Sequence, residues 1–210
     1  METSAAAERA YQHAKQLILT GSVQGGELLS EGVLAAELGI SRTPVHEAFL
    51  RLDAEKLLKL SSRRGAAVVP MAPDEARDVL EMREAIELST ARRALADGPP
   101  SPEAIAELKA NLERQRQLAA AGDIDGFVEA DNEFHASIVR ASRNQTALHF
   151  HDALRDRQHR LRRQLLHVGP ENVAAALADH ELMLAAAETG DAEEFCRLIT
   201  QHVRRHRGIL

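Results

Sequence analysis

Four metal-ligating side chains sit in apolar stretches of this 210-residue chain. In Asp131-Asn132-Glu133-Phe134-His135, Asp131 and His135 are four residues apart, which stacks them on one face of a helix. His180 lies within Ala178-Asp179-His180-Glu181, and His202 within Thr200-Gln201-His202-Val203. Their neighbours include Phe134, Ile138, Leu177, Leu184, Leu198, Ile199 and Val203, so all four belong to inward faces. Burying an unpartnered imidazole or carboxylate there is costly. Taken singly, each is more often a hydrogen-bonded side chain than a ligand. Together, one carboxylate and three imidazoles suit a divalent transition metal, zinc first, with nickel or manganese as alternatives. A helical metal-dependent hydrolase or lyase could use the same set, but it needs a general base beside the metal. Glu133 is two residues from Asp131 and points away, and Glu181 is one residue off His180, so no catalytic residue is assigned and no enzyme is expected. A purely structural metal is a third reading.

The elements that must position these groups are helices. Only 3% of residues are aromatic and Trp is absent, which disfavours sheet-rich folds. Pro70-Met71-Ala72-Pro73 marks a boundary. It separates a domain over 1–70, a linker over 71–73 and a second domain over 74–210. In the second, helices are predicted over 74–96, 102–121, 124–141, 145–167, 171–189 and 192–207. They are punctuated by Gly98-Pro99-Pro100, Ser101-Pro102, Gly122-Asp123, Gly169-Pro170 and Gly190-Asp191. Short connections and Ala/Leu faces describe a six- or seven-helix antiparallel bundle. The fold class is therefore mainly α.

The first domain reads as a winged helix-turn-helix. Helices are predicted over 5–20, from a Ser30 cap to Leu38, and from a Ser41 cap onward, with Gly39 at a left-handed stop. Leu57–Leu60 and Ala66–Val69 flank Ser61-Ser62-Arg63-Arg64-Gly65 as a two-stranded wing. In this plan the second helix of the motif offers its N-terminal side chains to base edges, and the wing grips phosphate. The candidates here are Ser41, Arg42, Thr43 and His46 on the helix, with Arg63, Arg64 and Gly65 at the wing. Overall charge is −6, which at first speaks against nucleic acid. However, the eight basic and eight acidic residues of 1–70 cancel, so the whole deficit belongs to 71–210.

The wording is specific. Gly26-Glu27-Leu28-Leu29-Ser30-Glu31 and Leu34-Ala35-Ala36-Glu37-Leu38-Gly39-Ile40-Ser41-Arg42-Thr43-Pro44-Val45 resemble the DNA-binding domain of GntR-family bacterial repressors. Glu47-Ala48, Arg51-Leu52 and Arg64-Gly65-Ala66 continue the likeness. Three positions depart from it. Gly32 and His46 stand where that family usually has arginine, and Lys56 where it usually has glycine. A bidentate arginine contact to guanine contributes about 1–3 kcal/mol of discrimination, so an operator unlike that of arginine-bearing relatives is expected. Residues 73–206 are similar to the all-helical FCD effector domain of the FadR subgroup, on Asp131, His135, His180 and His202 with Phe134, Asn144, Leu148 and Gly190-Asp191.

That resemblance implies a homodimer on a pseudo-palindromic double-stranded operator, and a metal pocket admitting a small carboxylate effector whose binding releases or modulates DNA. Arg83 matches the family's usual arginine on the first helix of the domain; aimed at the pocket it would grip an acid bidentately, the alternative being a salt bridge to Glu87. Arg157 and Arg160 are weaker candidates, because Arg155, Arg162 and Arg163 share their helix and are expected to face water. His149, His151, His159, His167 and His206 are placed outside the site, with His151 and His159 expected on the solvated face of an arginine-rich helix. The lone Cys196 excludes an intrachain disulfide and reads as a small core residue, with soft-metal contact near His202 as a minor alternative. No signal peptide or 18-residue apolar run is present, so a cytoplasmic protein without membrane contact is the expectation.

Overall fold

A computed structural model of the chain describes residues 2–61, 65–168 and 171–207. The chain splits into two compact units, Met1–Ala72 and Pro73–Leu210.

The first unit contains α1 (Glu2–Leu19), β1 (Leu28–Leu29), α2 (Glu31–Leu38), α3 (Arg42–Ala54), β2 (Leu58–Ser61) and β3 (Gly65–Val68). Ala10, Ala14 and Ile18 of α1 pack with Leu34 of α2 and with Val45, Phe49 and Leu52 of α3 in one core. Their spacing of three and four residues is the reason these segments are helices with a single buried face. The turn between α2 and α3 depends on Gly39, which sits at φ 65° while its amide and that of Ile40 close back onto the carbonyls of Ala36 and Ala35. At the end of α3, Lys56 adopts φ 60°, the left-handed conformation that glycine adopts most readily.

The wing has one strand more than the two predicted. β3 pairs antiparallel with β2, Ser61 opposite Gly65, and also with β1, Leu29 opposite Ala66. Two apolar residues are too short a run to stand out as a strand in sequence. Gly65 answers two demands at once. It lies at φ 91°, and a Cβ there would collide with the Leu29 carbonyl oxygen. Its requirement is therefore met within the sheet itself.

The second unit is helical among the described residues: α4 (Pro73–Ala94), α5 (Pro102–Ala121), α6 (Ile124–Ala141), α7 (Gln145–Val168), α8 (Glu171–Thr189) and α9 (Ala192–Arg207). Ser101, Asp123 and Asp191 each accept a hydrogen bond from the amide three residues on, fixing the starts of α5, α6 and α9. α6 packs against α4, α5 and α7, and α9 against α4 and α8. Phe127, Phe134 and Val139 of α6 are wholly buried. Polar residues on the inward faces of α4 and α6–α9 therefore meet in the bundle's interior.

Candidate metal centre and nucleic-acid interface

α6 carries Asp131 and His135, α8 carries His180 and α9 carries His202. Each is at most 1% exposed, and one ligand atom from each lies within 4.8 Å of the others. Two of the imidazoles are oriented by neutral or anionic acceptors. His180 donates from Nδ1 to Gln115 Oε1 at 2.7 Å, and Gln115 is held in turn by donating to Asn111 Oδ1 at 2.7 Å. His202 donates from Nδ1 to Asp179 Oδ2 at 3.0 Å, and Asp179 Oδ1 accepts from Arg205 at 3.0 Å. Glu87 Oε2 stands 2.8 Å from His135 Nδ1.

These acceptors put the ring protons of His180 and His202 on Nδ1 and leave their Nε2 lone pairs facing inward. Burial pushes His135, His180 and His202 below the ordinary histidine range, so their neutral forms are favoured. The Nε2 atoms of His135 and His180 are 3.2 Å apart, and Asp131 Oδ1 is 3.5 Å from His180 Nε2. At this range a lone pair and a carboxylate repel unless a proton or a cation lies among them, and the Arg162 guanidinium is already bonded to Asp131. Asp131 Oδ2 has no partner. The donor set, its tautomers and this orphaned oxygen fit a divalent transition metal.

Around the cluster lies a second layer of buried polar groups. Arg83 donates from Nε to Glu87 Oε1 at 2.6 Å, yet both its terminal nitrogens are buried without partners. The pocket and the salt bridge, weighed as alternatives from sequence, are compatible with one rotamer. Burial would raise the Glu87 carboxyl, but Arg83 and His135 outweigh it and hold the group well below the usual carboxylate range. Arg157 and Arg160 are placed elsewhere. Arg157 pairs with Glu75 at 3.3 Å, half-buried, and Arg160 feels the same carboxylate.

Two expectations are corrected. Arg162 does not face water: it is 1% exposed and donates from Nη2 to Asp131, with Nη1 3.3 Å from His202 Nε2. Burial pushes its pKa down to about 10, opposed by Asp131. His151 is not on a solvated face: it is 2% exposed, both ring nitrogens lack partners, and it senses Glu87, Arg83 and His135. Residues 151, 158 and 162 recur at helical spacing with Leu161 and Leu165 on the buried side of α7. The five arginines of that helix concealed the stripe. Gln115 carried a signal too, since it continues the buried row of Leu108 and Leu112. Cys196 lines a cleft with Leu88, Arg92 and Thr200, and Arg92 is its polar neighbour. The side chains of His167 and His206 lie outside the described residues.

In the first unit, Ser41, Arg42, Thr43 and His46 are exposed at the start of α3, opposite buried Pro44, Val45 and Ala48. Ser41 makes no capping bond with its side chain. The Arg42 guanidinium lies over α2, where a Cβ at Gly32 would stand 3.2 Å from Nη2. His46 Nδ1 is 2.7 Å from Glu31 Oε1, a bond in which the ring donates. Arg63 and Arg64 lie outside the described residues.

Residues 6–68 match the family described as bacterial regulatory proteins, gntR family, and residues 78–205 match the FCD domain. Over 196 residues the chain is 32% identical to a Streptomyces ambofaciens protein described as an uncharacterized HTH-type transcriptional regulator in an unstable DNA locus, covering 92% of this chain and 80% of that one. It is 28% identical over 198 residues to the HTH-type transcriptional repressor RspR of Escherichia coli K12, covering 94% and 85%. The solved structure of E. coli McbR/YncC is similar with a TM-score of 0.80 at 22% identity, covering 97% and 96%, a likeness of fold. No described helix is long and apolar enough to cross a membrane.

Proposed function

We infer, for a chain that belongs to the gntR family of bacterial regulatory proteins and carries an FCD domain, that this DNA-binding transcriptional regulator is a repressor whose hold on DNA is relieved by a small organic acid bound beside a divalent metal. Family and relatives are transcriptional regulators, not enzymes. Repression is the activity named for the E. coli relative RspR, and it is carried here as part of the proposal.

One observation carries the reading. The three inward Nε2 atoms, the Asp131 carboxylate and the two unpartnered terminal nitrogens of Arg83 belong to one buried polar network. Asp131, His135, His180 and His202 would hold the metal, zinc first, which when bound supplies a localised positive charge for a carboxylate oxygen. Arg83, locked by Glu87 through Nε, presents its remaining edge as a fork matched to a carboxylate. Gln115 and Asp179 hold the tautomers on which this arrangement depends. On the DNA side, Ser41, Arg42, Thr43 and His46 are the base-reading candidates, and Arg63, Arg64 and Gly65 form the wing of the proposed contact. Two copies would place two α3 helices on a pseudo-palindromic site about one helical turn apart. The acid must favour the dimer arrangement that releases DNA, with coupling of about 1–3 kcal/mol typical of such regulators.

The test is a thermal-shift screen of the full chain with zinc and a panel of small organic acids, before and after chelation. Stabilisation by acid that requires zinc and disappears in His180→Ala and His202→Ala is expected. Chelator-insensitive stability in wild type, unchanged in both variants, would remove the metal. Zinc binding with no response to any acid would leave a structural metal.

A further inference from the structure

Arg162 is buried among the atoms that the proposed metal would engage. Its Nη2 donates to Asp131 Oδ1, the same oxygen that faces His180 Nε2 at 3.5 Å. Its Nη1 and Nη2 lie 3.3 and 3.5 Å from His202 Nε2. One guanidinium therefore engages two of the four ligand side chains, Asp131 at one carboxylate oxygen and His202 at the Nε2 it would offer a metal. It is also the only Lys or Arg paired with Asp131 among the described residues.

We propose that Arg162 is the metal's built-in rival: it neutralises Asp131 in the metal-free protein and must leave that carboxylate before a divalent ion can be bound. This rests on the metal reading of the site. The physical reason is charge. Within the buried network, Arg83 balances Glu87 and Arg162 balances Asp131, so the metal-free interior is neutral. A guanidinium kept at hydrogen-bonding distance from Asp131 and His202 would meet a divalent ion at close range in a medium of low dielectric, where like charges repel strongly. Removing it without a metal leaves Asp131 as an uncompensated buried charge. Arg162 thus sets two quantities against each other, holding the empty bundle together and weakening its affinity for metal. Arg162 already feels the charge of Arg83 where it stands, and the two positive charges that a divalent ion adds make an anion the natural next ligand.

Two measurements on the full chain test this: zinc affinity by competition with a chromophoric chelator, and the melting midpoint in excess chelator. Arg162→Gln should bind zinc at least about tenfold tighter than wild type, equivalent to ~1.4 kcal/mol. Its metal-free midpoint should fall by about 5 °C or more, while the zinc-loaded midpoint changes little. Arg162→Lys, which keeps the charge, should bind zinc within about threefold of wild type. An Arg162→Gln protein that folds only with zinc meets the expectation in its extreme form. If it folds under neither condition, Arg162→Lys decides: affinity near wild type supports the rivalry, and tenfold tighter binding overturns it. Equal or weaker zinc binding by folded Arg162→Gln overturns it directly. If wild type itself binds no zinc, the metal reading fails along with this one; if wild type binds zinc and Arg162→Gln binds it no tighter, only the role of Arg162 falls.

Discussion

Replacing Gln115 with Met removes one oxygen from beside His180 and keeps the side-chain volume nearly unchanged. That oxygen accepts from His180 Nδ1 at 2.7 Å, with both side chains wholly buried, and Asn111 holds the amide in place from the other side. Without it, the His180 ring can move its proton to Nε2 and donate to Asp131 Oδ1, which is already 3.5 Å away. The imidazole would then offer a proton where a metal needs a lone pair. The penalty of leaving a buried donor unmatched, or of the tautomer shift that avoids it, is about 1–3 kcal/mol. At 1.4 kcal/mol per decade this is roughly a tenfold to hundredfold loss of zinc affinity, the range typical for removing a ligand's outer hydrogen bond. Chelator competition reads that loss directly. Gln115→Glu, which keeps an acceptor at the same place, should recover most of it. Zinc affinity unaltered in folded Gln115→Met would mean that His180 is not a ligand through Nε2, and the reasoning from tautomers would fail.

Other consequences follow from the same structure. The metal-free protein should lose stability as pH falls below about 6.5, because His135, His180 and His202 are held below the ordinary histidine range and the unfolded chain takes up protons that the folded one refuses. The stability they contribute is complete above the unfolded pKa and declines toward their depressed folded values, by about 1.4 kcal/mol per pH unit for each histidine. Urea midpoints between pH 7 and 5 in chelator should show it, and a flat profile would contradict the burial argument. Lys56→Gly should stabilise the first unit by about 1 kcal/mol by relieving a left-handed non-glycine residue; calorimetry showing a loss would contradict the assigned strain. His46→Arg should redirect operator choice by about 1–3 kcal/mol at the base it meets, while breaking the bond to Glu31. Random-site selection that recovers one operator for both proteins would sink that prediction.

The fold was legible because its signals are local. Capping residues, glycines at left-handed turns and rows of Ala and Leu at three- and four-residue spacing place the helix boundaries within a few residues, the end of α3 apart. Ser101-Pro102 and Gly122-Asp123 are good examples, since their side chains and dihedrals act on the next turn alone. β1 escaped notice for the opposite reason. Leu28–Leu29 becomes a strand only because β3 passes beside it, and Gly65 is needed there only because the Leu29 carbonyl approaches.

The same division runs through the site. Asp131, His135, His180 and His202 stand out as polar residues interrupting apolar rows, a pattern visible one helix at a time. What surrounds them depends on which helices face each other. Asp179 was visible beside His180, but its bond to His202 Nδ1 joins α8 to α9. Gln115 reaches His180 from α5, 65 residues away in sequence. Arg162 and His151 were hidden more thoroughly, because α7 carries so many charges that a solvated face was the economical explanation for all of them. A buried arginine is tolerable only if an acid waits opposite, and here that acid is Asp131, itself a candidate ligand. The charge balance of the interior, which links Arg162 to any metal the site takes up, is a property of three helices at once, α4, α6 and α7, and of no segment alone.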